Sequence, residues 1–149
     1  MPQETIQPSD DYLEDWLRLC LVSGVGPRIL TTLIAHFQTP QAVLAADASQ
    51  LQQVEGVGYR LAQAIAVAKQ EIDLSPELAA CRSAGIQMVS RSATAYPRLL
   101  LEIHDPPGVL FLQGDLRAAD SLAIAVVGSR NATRYGVTQA ARIATGLAR

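Results

Sequence analysis

Residues 22–27 (VSGVGP) and residues 54–58 (VEGVG) decide how the first half of this chain folds. Each stretch interrupts a helical pattern of apolar residues with two glycines that flank one valine. Glycine tolerates positive φ, so the backbone can turn sharply there. Because a second helical pattern follows each stretch, both predict a helix, a tight turn and another helix.

The two units repeat along the chain, since Gly24-Val25-Gly26 recurs as Gly56-Val57-Gly58. The same shift also superposes the flanking positions. The matched pairs are Asp15 with Asp47, Leu19 with Leu51, Val22 with Val54, and Leu33 with Ile65. Duplicated units of this kind bury their apolar faces against each other. We therefore expect residues 11–72 to form a small α-helical bundle of tandem helix-hairpin-helix, SAM-like units.

Caps and breakers set the expected helix limits within this bundle. We expect helices over about 28–37, 41–45 and 59–71, and another that is capped by Asp47 or Ser49 and reaches Val54. The polar residues 1–10 contain two prolines and no periodicity, which predicts a disordered arm.

The pattern changes after Ile72. Ser75 as the capping residue and Pro76 in the first turn are typical of a helix start, and Gly85 of its end. Short apolar runs predict strands over 86–89 and 109–112, with irregular turns at 90–108. The unbroken run 122–127 (LAIAVV) predicts a strand covered on both faces, and a helix follows over about 135–148. This order predicts that residues 73–149 open a parallel α/β domain, whose sheet we expect to need more strands than the sequence contains.

Charge is unevenly distributed along the 149 residues, although the formal net charge is only −2. Residues 1–15 hold five acids and no base, whereas residues 117–149 hold five arginines against Asp120 alone. The total gives no general electrostatic attraction to nucleic acid, but the last part of the chain is locally basic.

Cys20 and Cys81 are the two cysteines. Their unrelated positions and the absence of an apolar leader indicate reduced thiols in a cytoplasmic protein without a membrane span.

The glycine turns are the first candidate site. Gly24, Gly26, Gly56 and Gly58 would present main-chain N–H groups at the start of the following helix, where the helix dipole favours an anion. A DNA phosphate would fit there without any base contact, giving binding that ignores sequence. The alternative is that both turns only let helices pack, which Glu55 and the low local charge favour.

The loop 128–136 (GSRNATRYG) is the second candidate site. Gly128, Ser129, Arg130, Thr133 and Arg134 combine hydroxyls, main-chain donors and two guanidiniums after an expected strand, a combination suited to phosphate. The loop is neither a Gly-x-Gly-x-x-Gly nor a Walker A motif, which disfavours a dinucleotide and a nucleoside triphosphate. Alternatively, both arginines are ordinary solvent-facing loop residues.

At these residues the chain resembles the DprA/Smf family of DNA-processing proteins. The segment 125–130 (AVVGSR), followed by Thr133 and by Tyr135-Gly136, is similar to the opening of that family's Rossmann-like domain. Residues 96–97 (YP), 105–107 (DPP) and Gly114 also fit. Thr133 stands where serine is frequent, a change that keeps the hydroxyl.

The resemblance implies single-stranded DNA binding without a cofactor or metal, Arg130 as a phosphate ligand, and Gly128 and Ser129 as loop-shaping residues. It further implies delivery of DNA to the RecA recombinase in natural transformation. Family members continue into a second glycine-rich loop and a dimer surface, so the resemblance implies a homodimer only for the full-length protein.

Two other functions stay open. The first is a Rossmann-like nucleotide-processing enzyme, which would need acidic catalytic residues beyond this sequence. His36 and His104 have no partners spaced for catalysis or metal binding, so we expect no enzymatic activity. The second is a protein-interaction role for the helical bundle.

Overall fold

The computed structural model describes residues 12–116 and 124–148. The chain divides into two compact units, residues 1–115 and 116–149. The expected arm at residues 1–10 and the start of the expected strand at residues 122–123 lie outside the described residues. The limits of the two sequence-defined domains stay predictions.

The described part of the first unit contains eight helices and a two-stranded sheet. Its elements are α1 Leu13–Leu21, α2 Pro27–Phe37, α3 Pro40–Ala45, α4 Ala48–Leu51, α5 Tyr59–Ala66, α6 Ala68–Glu71, α7 Ser75–Ser83, β1 Gln87–Ser90, α8 Arg98–Leu101 and β2 Val109–Leu112. The described part of the second unit contains α9, Arg134–Leu147.

The core of the first unit follows the sequence repeat. The apolar residues on both sides of each turn are all buried: Leu19 and Leu51, Val22 and Val54, Val25 and Val57, and Leu33 and Ile65. Residues at equivalent positions of the two helix-hairpin-helix repeats are therefore buried in the same way. The tandem helix-hairpin-helix prediction is confirmed.

Local hydrogen bonds explain where these helices begin and end. Asp47 is the N-cap of α4, as predicted, and forms a reciprocal capping box with Gln50. That helix ends at Leu51 and not at Val54, because the Val54 N–H turns back to the Leu51 carbonyl at 3.1 Å. The expected single helix 59–71 is two helices, since the ladder tightens at Val67, whose carbonyl accepts from Gln70 at 3.0 Å.

Ser75 is not the cap of α7, contrary to the prediction. It is the first helical residue, and Leu74 holds the N-cap position without a side-chain bond. The Asp73 carboxylate accepts from the Ser75 N–H at 2.9 Å instead. Hydrogen bonds from the hydroxyl and N–H of Ser75 lower the pKa of Asp73.

The strands β1 and β2 pair antiparallel, with Gln87 opposite Leu112 and Ser90 opposite Val109. The sequence predicted both strands but a parallel opening, which is wrong for this pair. The connection contains only the one-turn helix α8, and the Tyr96 hydroxyl donates to the Pro107 carbonyl at 2.8 Å. Because the chain folds back on itself there, β2 returns alongside β1.

The first helix-hairpin-helix unit is seated on this strand pair. The Trp16 indole N–H donates to the Ser92 hydroxyl at 2.9 Å, and the Arg91 guanidinium donates to the Thr31 hydroxyl at 3.0 Å. Gly108 lies so close that an added Cβ would be 2.4 Å from the Leu30 side chain. The helical bundle and the strands therefore share one packed unit.

In the second unit the predicted helix is confirmed as α9. The expected strand 122–127 is not formed in its described part, 124–127, which has no regular structure and is exposed. A strand needs a neighbouring strand for its N–H and C=O groups, and the described part of this unit contains none. A Rossmann-like sheet therefore stays a prediction.

Candidate nucleic-acid interface

The two glycine turns have the same backbone geometry. Gly24 has φ of 95° and Gly56 has φ of 84°, values that favour glycine. In each turn the valine between the glycines donates its N–H to the valine before them, Val25 to Val22 and Val57 to Val54, both at 3.0 Å. The repeat thus extends to the hydrogen bonds.

The first glycine of each turn packs against the second helix of the other helix-hairpin-helix repeat. A Cβ added to Gly56 would be 2.8 Å from Ile29 Cδ1, and one added to Gly24 would be 3.3 Å from Leu61 Cδ1. Ile29 and Leu61 are themselves equivalent in the repeat. The two helix-hairpin-helix repeats therefore pack reciprocally, and Gly24 and Gly56 are needed for the packing of the bundle.

The second glycine of each turn is different. Gly26 and Gly58 are the N-caps of α2 and α5, and no atom lies within 4 Å of a Cβ added to either. Neither cap position carries a side-chain hydrogen bond. The free main-chain N–H groups of the first helical turn are therefore not covered at this end by a capping side chain.

An arginine follows each of these glycines at the second helical position. Arg28 in α2 and Arg60 in α5 are equivalent in the repeat, and both are exposed. The sequence-based prediction did not include this pair of arginines, although the repeat contained the signal for it. Arg28 shares a crevice with Glu55, whereas the first turn has Ser23 at the position equivalent to Glu55.

The loop before α9 is shaped by two hydroxyl oxygens. The Ser129 hydroxyl accepts from the Asn131 N–H at 3.2 Å. The Thr133 hydroxyl accepts from the Gly136 N–H at 3.1 Å and caps α9. Both hydroxyls keep their own hydrogen for an acceptor outside the loop. The first helical bond runs from Val137 to Thr133, so the N–H groups of Arg134 and Tyr135 precede it.

A cleft of about 820 Å³ lies between this loop and one side of α9. Gly128, Ser129 and Thr133 line the cleft, together with small residues of the helix such as Gly136 and Ala140. Arg130 and Arg134 are not among its lining residues, so the structure does not bring all the predicted site residues into one cleft. Both arginines are exposed, and neither forms an ion pair with a described residue.

The described residues do not form a metal site or place either histidine beside a catalytic partner. No three His, Cys, Asp or Glu side chains there come together as a metal site. His36 packs edge-on against Phe37, with ring centroids 4.7 Å apart, and His104 lies 3.8 Å from Asp105 on the surface. Burial raises the pKa of the Cys20 thiol. None of the described helices has both the length and the apolar character to cross a bilayer.

Two protein-family models match this chain. Residues 87–149 match the family model of DNA recombination-mediator protein A, and residues 17–71 match that of the SAM-like helix-hairpin-helix tandem. The first match includes the loop 128–136, and the second includes both glycine turns. The chain thus matches a different family model in each of its two parts. No solved structure matches it.

Three relatives make the assignment specific. The chain is 30% identical to Protein Smf of Synechocystis sp. over 89% of its own length and 34% of the relative's. It is 33% identical to Protein Smf of Escherichia coli over 91% of its own length and 38% of the relative's. It is 45% identical to the DNA processing protein DprA of Bacillus subtilis over 40% of its own length and 20% of the relative's. The chain belongs to the DprA/Smf family, and it spans about a third of the length of the two Smf relatives.

Proposed function

We propose that this chain binds single-stranded DNA through its phosphates and contributes to a recombination mediator that delivers the strand to the RecA recombinase during natural transformation. Family membership supports a DNA-processing role in recombination. The choice of single strands, RecA and transformation goes further, and it rests on the resemblance together with the chemistry of the loop 128–136.

The observation that carries the proposal is that Arg130 and Arg134, beside the Gly128-Ser129 bend, are exposed and form no ion pair with a described residue. A guanidinium without an acidic partner is free to bind a phosphate in two parallel hydrogen bonds. The hydroxyls of Ser129 and Thr133 keep a donor each, and the start of α9 adds a favourable dipole. Each of these groups is a donor or a positive charge, as a phosphodiester requires.

The helix-hairpin-helix tandem would provide a second, weaker contact. The open ends at Gly26 and Gly58, each followed by an exposed arginine, could each meet a backbone phosphate. Gly24 and Gly56 belong to the packing of the bundle, which supports the structural alternative for those two glycines. We assign the phosphate contact to Gly26 and Gly58, and to Arg28 and Arg60 beside them.

Binding, and not chemistry, is the proposed activity. A protein that holds a strand for another enzyme needs no nucleophile, cofactor or metal of its own. A cytoplasmic location and a homodimer of the longer protein are parts of the same proposal.

The direct test is binding of a labelled oligothymidylate to the whole chain at increasing salt. Arg130→Ala should weaken binding by about tenfold or more, as expected for a hydrogen bond to a charged group. The slope of log affinity against log salt should become shallower by about 0.7, the contribution of one phosphate contact. Arg82→Ala removes an equal charge from α7 and serves as the control. An unchanged affinity for the Arg130 variant would remove this residue from the site.

The hairpins need a test in the whole chain, because the strand pair covers part of α1 and α2. The double variant Arg28→Ala, Arg60→Ala should bind several-fold more weakly than the parent. Unchanged binding would show that the tandem does not contact DNA, and would favour its role in protein interaction.

A further inference from the structure

One side of α9 is a ridge of arginine and threonine residues. Arg134, Thr138, Arg142 and Thr145 follow one another at spacings of four, four and three residues, which places them along one side of the helix. All four are exposed. The cleft-lining residues Gly136, Ala140 and Ala144 lie on a different side of α9. We call these four residues the α9 ridge.

The ridge is positively charged, and no described acidic residue pairs with it. The sequence of α9 (RYGVTQAARIATGL) contains no acidic residue, and neither arginine of the ridge forms an ion pair with a described residue. The two threonine hydroxyls donate to carbonyls of their own helix, Thr138 to Arg134 at 2.9 Å and Thr145 to Ala141 at 2.8 Å. The guanidiniums are therefore the only side-chain donors that the ridge offers to a ligand.

We propose that the α9 ridge continues the phosphate track of the loop 128–134, with Arg142 binding a second phosphate of the same single strand. This inference rests on the proposed function and extends it, because it assigns a residue outside the loop and a direction for the strand. The strand would run from Arg130 past Arg134 and along α9.

The spacing of the arginines suits a strand. Arg134 and Arg142 are eight residues apart, which corresponds to about 12 Å along a helix axis. A stacked strand rises about 3.4 Å per nucleotide, so the ridge would span about three or four nucleotides. The two guanidiniums would then hold phosphates that are not adjacent, and neither would compete for the other's phosphate.

The composition of the ridge favours nucleic acid over an acidic protein surface. Protein interfaces depend on apolar or aromatic anchors that fill a pocket on the partner, and the ridge has none. Beside it stands Tyr135, with 74% of its surface exposed. An exposed aromatic ring next to cationic groups is the arrangement on which single-stranded bases stack. The loop, ridge and tyrosine together fit a single strand.

The test measures oligothymidylate binding by the whole chain for Arg142→Ala against three controls. Arg142→Lys keeps the charge, Gln139→Ala removes a polar side chain of α9 outside the ridge, and Arg82→Ala removes a charge elsewhere. We expect Arg142→Ala to weaken binding by about 1.5-fold to fivefold, the range of an exposed charge contact. Its salt slope should fall by about 0.7. The three controls should keep the parent slope, and circular dichroism should show the parent helix content for all four.

The outcomes separate this inference from the proposed function. If Arg130→Ala weakens binding and Arg142→Ala leaves affinity and slope unchanged, the phosphate site stands and the ridge is not part of it. If neither variant has an effect, both proposals fail. If Arg142→Ala lowers affinity for polyglutamate as much as for oligothymidylate, the ridge is a general anion surface and the assignment to DNA is wrong.

Discussion

The sharpest test of the fold compares two glycines of one turn. Gly56→Ala forces alanine into positive φ, which costs about 1–2 kcal/mol. Its Cβ would also lie 2.8 Å from Ile29 Cδ1, and pushing aside the end of that half-buried side chain adds less than about 1 kcal/mol. Alanine restricts the unfolded chain and so recovers about 0.4–1 kcal/mol. The free energy of unfolding should therefore fall by about 1–2 kcal/mol.

Gly58→Ala is the matched control, two residues further along. Gly58 has φ of −78°, which alanine adopts freely, and its Cβ would meet no atom within 4 Å. Alanine is the poorer N-cap by about 0.5–1 kcal/mol, and the gain from restricting the unfolded chain is of similar size, so the net change should be close to zero. Gly24→Ala and Gly26→Ala repeat the comparison in the first helix-hairpin-helix repeat.

Urea unfolding followed by Trp16 fluorescence measures all four variants, because Trp16 is the single tryptophan and is buried in the first unit. A loss of about 1–2 kcal/mol should lower the melting temperature by roughly 4–16 °C in a unit of this size. Equal destabilisation by Gly58→Ala and Gly56→Ala, or by Gly26→Ala and Gly24→Ala, would contradict the assignment of packing to the first glycine of each turn. A neutral Gly56→Ala variant would contradict it as well.

Two further predictions follow from the first unit. Gly108→Ala should destabilise this unit by about 1–3 kcal/mol through overpacking, since the new Cβ would overlap the Leu30 side chain and lie 2.8 Å from Cys20 Sγ. Urea unfolding measures the loss. Gly85→Ala is the control, because its alanine has a strained positive φ but meets no neighbouring atom. The lowered pKa of Asp73 makes a contribution to stability that is present above the unfolded-state pKa and is lost as the pH falls through the folded-state pKa. Asp73→Asn should therefore lose less stability between neutral and acidic pH than the parent does, and equal slopes in unfolding experiments across that range would contradict the assignment.

Much of the helical bundle could be predicted from its sequence, because its determinants are local or repeated. The glycine pairs fix the turns, the periodic apolar residues fix the buried sides, and Asp47 with Gln50 fixes a cap. The same holds for the start of α9, where Thr133 caps the helix that the sequence predicts. Of the candidate site, the sequence identified the glycines, the loop hydroxyls and the exposed arginines Arg130 and Arg134.

The remaining features depend on contacts between distant residues, which no local pattern encodes. The antiparallel return of β2 depends on the folded connection closed by Tyr96 and Pro107. The packing of Trp16, Leu30 and Thr31 against residues 91–108 joins parts of the chain that are sixty or more residues apart.

Sequence alone thus established the repeat, the turns and the basic, hydroxyl-bearing composition of the loop 128–136, because backbone freedom, helix periodicity and charge belong to the residues themselves. Tertiary structure decided which glycine of each pair packs and which stays open. That difference depends on the positions of Ile29 and Leu61 in the opposite helix-hairpin-helix repeat. These positions are set only when the two repeats pack together.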